Sequence, residues 1–308
     1  MKQKRPIEIP RRNARTRPET RTVKGAARVE ARGAVRAAAE LANDTLQPWA
    51  LRLLRWYYAP EFLHLERVRA ARPTLFVGNH SVFNVFDAML LADRLQHECG
   101  IRLRPLADRG HFKVPLWREL IEAQGSVVGT RENCAELMRR GEHLLVFPGG
   151  AREVFKRRGE AYQLIWKERF GFVRLAIEHG YAILPYATVG AEESVSILFD
   201  AGDYLRTPLG RYLKRSGIAD RHLRGGEELP PVIRGIGWTP VPRPERMYFV
   251  MGRPIDTRRF DGRSEDPETL RRVRDRVARQ LRDLIREGHE YRERTGKDVG
   301  LRGLLNQL

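Results

Sequence analysis

Two cysteines in 308 residues, Cys99 and Cys134, leave nothing for a disulfide framework, and neither has neighbours at metal-ligand spacing. A reducing compartment and no structural metal are the expectation. Long apolar runs are missing too. A membrane-crossing helix needs roughly 20 consecutive apolar residues, and every stretch of that length here contains charge. The N-terminus, MKQKRPIEIPRRNARTRPETR, has no apolar core and does not read as a secretory signal. Acidic residues are scarce relative to basic ones: 39 Asp and Glu stand against 57 Lys and Arg, a formal net charge of +18. Such an excess is unusual for a freely diffusing enzyme and implies a polyanionic partner, whether nucleic acid, an anionic membrane surface or acidic small molecules.

What is present divides into four segments. Residues 1–33 hold eleven Lys and Arg against three Asp and Glu and are interrupted by Pro6, Pro10 and Pro18, the pattern of a disordered basic arm. Residues 34–70 hold an Ala-rich helical stretch, then LQPWALRLLRWYYAPEFL, where Trp49, Leu53, Trp56, Tyr57 and Tyr58 alternate with Arg52 and Arg55. Trp and Tyr suit a membrane–water boundary and the arginines suit lipid phosphates, so this segment reads as a membrane-surface helix, with docking on the domain as the other reading. From 71 to 260 short apolar strand runs alternate with helical spacing, which predicts an α/β domain with a mostly parallel central sheet flanked by helices. From 261 to 308, SEDPE resembles an N-cap and Leu270, Val273, Val277, Leu281 and Leu284 recur at helical spacing, predicting a long amphipathic helix that packs on the domain, followed by a short apolar tail.

Two blocks carry chemistry. GNHSVFNVFD, Gly78 to Asp87, sits where a buried strand yields to a helix, the place where ligands meet the chain in α/β sheets. A His there with a carboxylate downstream suits a general base whose tautomer an acid fixes. His80 is the base, Asp87 its expected partner, and Asn84 the rival. FPGGARE, Phe147 to Glu153, also follows a strand. Its adjacent glycines let backbone N–H groups face an anion, and Arg152 adds a charge-assisted donor.

Taken together, the blocks resemble the glycerolipid acyltransferase superfamily, which pairs an N-H…D block with F-P-x-G-x-R. An intermediate block is similar to GSVVGTRENCAEL with Arg131 in the matching place, and AILPYA and GRPI resemble later blocks. The likeness runs from Thr74 to Ile255, and VFPGGAREVFKRRGEAYQLIW is most similar to the diacylglycerol acyltransferase and phytyl ester synthase-like branch. The resemblance implies an O-acyltransferase moving a fatty acyl group from acyl-CoA or acyl carrier protein to a lipid hydroxyl on the cytoplasmic face of a membrane, without metal or organic cofactor. It implies His80 and Asp87 as catalytic residues, and Asn79, Arg131, Phe147, Pro148, Gly149, Gly150, Arg152 and Glu153 as the substrate-binding set.

Two departures stand out. Six residues separate His80 from Asp87 where four are usual, and Gly149 replaces the Glu of phosphatidic-acid-forming relatives. Val82, Phe83, Val85 and Phe86 are expected either to line an acyl slot or to be ordinary core, and Lys113, Trp117 and Arg118 are further neighbours of the site. Two other functions fit parts of the pattern. A His-activated water would make the chain a thioester or ester hydrolase, although no G-x-S-x-G elbow occurs. The charge alone would suit a nucleic-acid-binding protein, although no recognisable module accompanies it.

Overall fold

A computed structural model describes residues 48–69, 72–82, 86–114, 117–217, 229–296, 298 and 300–307. The basic arm of residues 1–33, the Ala-rich stretch after it, and Phe83, Asn84 and Val85 lie outside the described residues.

A seven-stranded sheet organises the chain. Its strands are β1 (Glu61–Leu63), β2 (Thr74–Gly78), β3 (Leu103–Ala107), β4 (Val127–Val128), β5 (His143–Val146), β6 (Ala182–Val189) and, late in the chain, β9 (Tyr248–Met251). Their order across the sheet is β1-β9-β6-β2-β5-β3-β4. All neighbours are parallel except β6 and β9, which run antiparallel. The fold class is therefore the mostly parallel α/β layer that strand–helix alternation implies.

Buried side chains divide between the two faces with period two, as strands covered on both sides require. Leu75 and Val77 of β2, Leu144 of β5 and Ile183, Ala187 and Val189 of β6 share one core with α4 (Arg131–Arg139), α6 (Gly171–Glu178) and α9 (Pro267–Thr295). Phe76, Leu145, Leu184, Tyr186, Phe249 and Met251 point the other way, against α1 (residues 48–58) and α2 (Phe86–Cys99). The long helix α9 starts where the sequence pattern places it. Asp266 caps the N–H groups of Glu268 and Thr269, Pro267 occupies the first turn, and Leu270, Val273, Val277, Leu281 and Leu284 are buried on the domain.

Three features were not legible beforehand. Strand β1, three residues after α1, forms one sheet edge beside β9. Between β6 and β9 the chain makes an excursion comprising β7 (Ser196–Phe199), α7 (Ala201–Arg206), α8 (Pro208–Arg215) and β8 (Val232–Arg234), with β7 and β8 pairing antiparallel in a sheet of their own. The GRPI block contributes one bridge, Ile255 to Ile183, rather than a strand. The tail is a short helix, α10 (Gly300–Gln307). Among the described residues no helix is long and apolar enough to cross a membrane.

Candidate active site

The site is assembled where β2 and β5, adjacent and parallel, end side by side. His80 follows β2 by two residues and Phe147 follows β5 directly, so the sheet itself brings the two sequence blocks together. Their rings lie 4.4 Å apart between centroids, and Phe147 in turn meets Tyr186 of β6 edge-on at 6.5 Å. Gly78 makes this packing possible: a Cβ there would stand 2.5 Å from the Tyr186 ring. Asn79 is fully buried with its side-chain amide spent on the backbone of Thr188, donating to its carbonyl at 3.0 Å and accepting from its N–H at 2.9 Å. It ties the His80 loop to β6.

Burial pushes the His80 imidazole down to about 3, and the nearby Lys156 ammonium and His111 add to that, so the ring is neutral at physiological pH. Among the described residues its buried Nδ1 has no hydrogen-bond partner. Asp87 is buried at the first turn of α2. Its Oδ1 accepts from the Ala88 N–H at 2.8 Å, and Oδ2 lies 3.4 Å from Ser81 Oγ. Burial raises this carboxyl to about 7, against the hydrogen bonds that favour its anion. No hydrogen bond joins His80 to Asp87. Shifts in these directions belong to two buried groups that are not in contact, since a charged pair would raise the first and lower the second.

The residues of the Phe147–Glu153 block are placed around the same corner, with Arg152 and Glu153 turned inward. Glu153, fully buried in the short helix α5 (Ala151–Val154), accepts from the Ile165 N–H at 2.7 Å. Its other oxygen faces the His80 backbone N–H without closing a normal hydrogen bond, and burial raises the carboxyl to about 7. A Cβ on Gly149 would lie 2.0 Å from Glu153 Cδ. The departure from Glu to Gly at 149 thus has a local cause: the space is filled by a carboxyl that arrives from position 153. Arg152, 8% exposed, does not extend toward a ligand. Glu160 accepts from its guanidinium at 2.5 Å, which folds the segment 155–170 over the Gly-Gly turn. Arg169 completes that fold by donating to the Pro148 carbonyl at 2.8 Å. Arg131 stands on the surface, bonded to Glu178 at 2.7 Å with Glu265 close by, and makes no contact with the His80 corner.

Val82 and Phe86 border a cavity with Tyr58, Asp87, Val195 and Met247, but its volume of about 20 Å³ holds one water rather than an acyl chain. A larger cavity of about 380 Å³ lies between α1, α2 and β1. Its charged walls are largely paired, as in Arg55–Asp93 at 3.4 Å and Arg246–Glu61 at 2.5 Å, and it does not include His80. Among the described residues no group of His, Cys, Asp and Glu is arranged to hold a metal ion.

Three residues near His80 escaped the sequence reading. Lys156, buried, donates from Nζ to the His80 carbonyl at 2.8 Å and pairs closely with buried Glu192. In the sequence Lys156 only opens the basic run Lys156–Arg158, and Glu192 belongs to no motif. His111 lies within electrostatic reach of His80, with its own Nδ1 accepting from Trp117 Nε1 at 3.2 Å. Of the expected neighbours, Lys113 is exposed and Arg118 pairs with Glu119.

The family model described as diacylglycerol acyltransferase matches residues 72–301, which covers every strand of the sheet except β1, both blocks and α9. This chain belongs to the diacylglycerol acyltransferase family. Phytyl ester synthase 2 of Arabidopsis thaliana is 29% identical over 252 residues, 74% of this chain and 35% of that protein. The human "DGAT1/2-independent enzyme synthesizing storage lipids" is 30% identical over 129 residues, 42% of this chain and 39% of that one. Among solved structures, the 1-acyl-sn-glycerophosphate (LPA) acyltransferase of Thermotoga maritima aligns over 83% of this chain and 82% of its own, with 17% identity and a TM-score of 0.43. The chain spans about a third of the length of the plant relatives.

Proposed function

We propose that this member of the diacylglycerol acyltransferase family transfers a fatty acyl group from an acyl thioester, on coenzyme A or acyl carrier protein, to the hydroxyl of a lipid acceptor. The observation that carries the reading is the neutral His80 imidazole seated on Phe147, where the two chemical blocks converge. A neutral imidazole can accept a proton. The acceptor hydroxyl gives its proton to His80 Nε2 while its oxygen attacks the thioester carbonyl carbon. The tetrahedral oxyanion collapses, the C–S bond breaks, and the imidazolium returns the proton to the departing thiolate. General-base action of this kind contributes about 10²–10⁴ in rate.

Asp87 is the acid partner in this reading. Hydrogen bonds of this type often tighten only in the complex with substrate. Contact between Asp87 and Nδ1–H would ionise the carboxyl and raise the basicity of the ring, correcting both unfavourable shifts at once. The turn Phe147–Gly150 supplies backbone groups to the acceptor and the oxyanion, with Arg152 and Glu153 holding that turn from within.

The reaction is placed at an anionic membrane surface. Helix α1 buries Leu51 and Tyr58 against the domain and turns Trp49, Leu53 and Trp56 outward at 69%, 60% and 64% exposure. Arg302 of α10 donates to the Trp56 carbonyl at 2.5 Å, which puts exposed Leu301 and Leu304 on a neighbouring helix. Apolar side chains on the outside of a helix in a chain of net charge +18 suit an anionic bilayer. A peripheral enzyme on the cytoplasmic face is the arrangement proposed.

The test is transfer from labelled acyl-CoA, then from acyl carrier protein, to a panel of lipid alcohols in anionic vesicles, with His80→Ala alongside. Labelled lipid that disappears in the variant supports the reading and names the acceptor. Free fatty acid formed by wild type and lost in the variant replaces transfer with hydrolysis. Neither product from either donor overturns the reading.

A further inference from the structure

Four ionisable side chains from three segments converge behind the His80 loop: Asp87 from α2, Glu153 from α5 with Lys156 just after it, and Glu192 beyond β6. All are buried, Lys156 at 1% exposure. Removing an ammonium and a carboxylate from water costs several kcal/mol each, and a pair of apolar residues of similar volume often serves stability as well or better. Stability alone is therefore a weak account of this pair. Its geometry offers another. The Lys156 Nζ donates to two oxygens, the Glu192 carboxylate and the main-chain carbonyl of His80 at 2.8 Å. It is thus bonded to the very residue whose ring does the chemistry. Glu192 fixes the ammonium from the far side, so the position of the His80 backbone is referred to the end of β6.

We propose that the buried Lys156–Glu192 pair is the positioning device of His80, holding its main chain in place and setting the charge state of its ring. The proposal rests on the reading of His80 as general base for its catalytic consequence, but its electrostatic content concerns the ring alone. The ammonium is a positive charge that opposes a second one on the imidazole, and Glu192 holds the ammonium in place. The other ionisable groups facing the ring or its loop are His111 from the turn after β3, Asp87 from α2 and Glu153 from α5. Each stays in place when Lys156 or Glu192 is replaced, so the two variants are compared against one background.

The ring responds to the charge at position 156, and a purely structural role has no reason to produce that. Lys156→Met removes the opposing charge, so the imidazole becomes easier to protonate and its titration moves to higher pH, by about one unit for a neighbouring charge. Lys156→Arg keeps the charge and leaves the titration at the wild-type position, and Glu192→Gln changes it little because burial already raises the Glu192 carboxyl toward its neutral form. The experiment follows the His80 ring Cε1–H resonance through a pH titration of the full chain, the signal being assigned by its loss in His80→Ala. In parallel, kcat and KM for acyl transfer are measured across pH. The proposal expects the upward shift in Lys156→Met and none in Lys156→Arg, a fall in kcat of about 10- to 100-fold in Lys156→Met with KM changed by less than about 3-fold, and recovery of most of that kcat in Lys156→Arg.

The double variant Lys156→Met with Glu192→Met replaces the pair by apolar volume and guards against loss of the fold. It should melt cooperatively, titrate above wild type and keep the low kcat. A folded double variant with wild-type titration and wild-type kcat would overturn the proposal, as would the same upward shift in Lys156→Arg as in Lys156→Met. If His80→Ala retains full transfer while the Lys156→Met shift is seen, the general-base reading fails and the positioning of the ring stands.

Discussion

Gly149 and Glu153 compete for one volume: the carboxyl of Glu153 fills the place where a side chain at 149 would begin, 2.0 Å from a Cβ built there. Gly149→Ala should therefore destabilise the protein by about 1–3 kcal/mol, the usual cost of overpacking a filled site. Glu153→Ala on top of it should recover part of the loss. Urea unfolding of the two single variants and the double variant checks this. Additive effects, with no recovery, would mean that the two positions do not share the space.

Asp87→Asn should separate stability from activity. The folded carboxyl, near 7, lies above its unfolded value of 3.8, so the folded state binds the extra proton between those limits. Stability from this group is full below about pH 4 and is lost as pH rises through about 7. The gap caps the loss at roughly 4 kcal/mol. Asparagine carries no such charge and can keep both contacts, accepting from Ala88 and donating to Ser81. The variant should unfold like wild type near pH 4.5 and be the more stable of the two at pH 8, while acyl transfer falls by 10-fold or more. Chemical denaturation at the two pH values, beside one activity assay, decides it. The depressed His80 gives the opposite slope between about pH 6.5 and 3, so wild type should show a shallow pH dependence there.

Arg152→Ala should act through folding before it acts on substrate. The guanidinium is buried and bonded to half-buried Glu160, and leaving such a partner unpaired costs about 1–3 kcal/mol. Arg152→Ala combined with Glu160→Ala should be less damaging than the sum of the single changes. Thermal melts of the cycle test it. A normal melt with only KM raised would return Arg152 to the acceptor.

Trp49→Ser with Trp56→Ser should weaken binding to anionic vesicles by about 10-fold or more and leave the melting temperature unchanged, because both rings are mostly exposed. Vesicle sedimentation at fixed salt measures it. Unchanged binding would assign docking elsewhere.

The sheet was largely readable from sequence because its strands are short apolar runs ending at punctuating motifs, and strands buried on both faces look like that. The excursion was not. Strands β7 and β8 are only partly buried and separated by more than thirty residues, so no local pattern links Ile197 to Ile233. Among site residues, His80 and Phe147 were readable because each closes a strand. Lys156 resembled its basic neighbours Arg157 and Arg158, and only its burial singles it out.

The sequence by itself determined the layer, the order of the chemical blocks and the charge that favours an anionic surface, because periodicity, strand-end motifs and composition are local or additive. Tertiary structure decided which polar groups meet. Arg152 turns inward to Glu160, Glu153 enters the space of residue 149, and Lys156 reaches the His80 carbonyl from 76 positions away. Those outcomes depend on which side chains are withdrawn from water together, and desolvation is a property of the packed chain rather than of any segment of it.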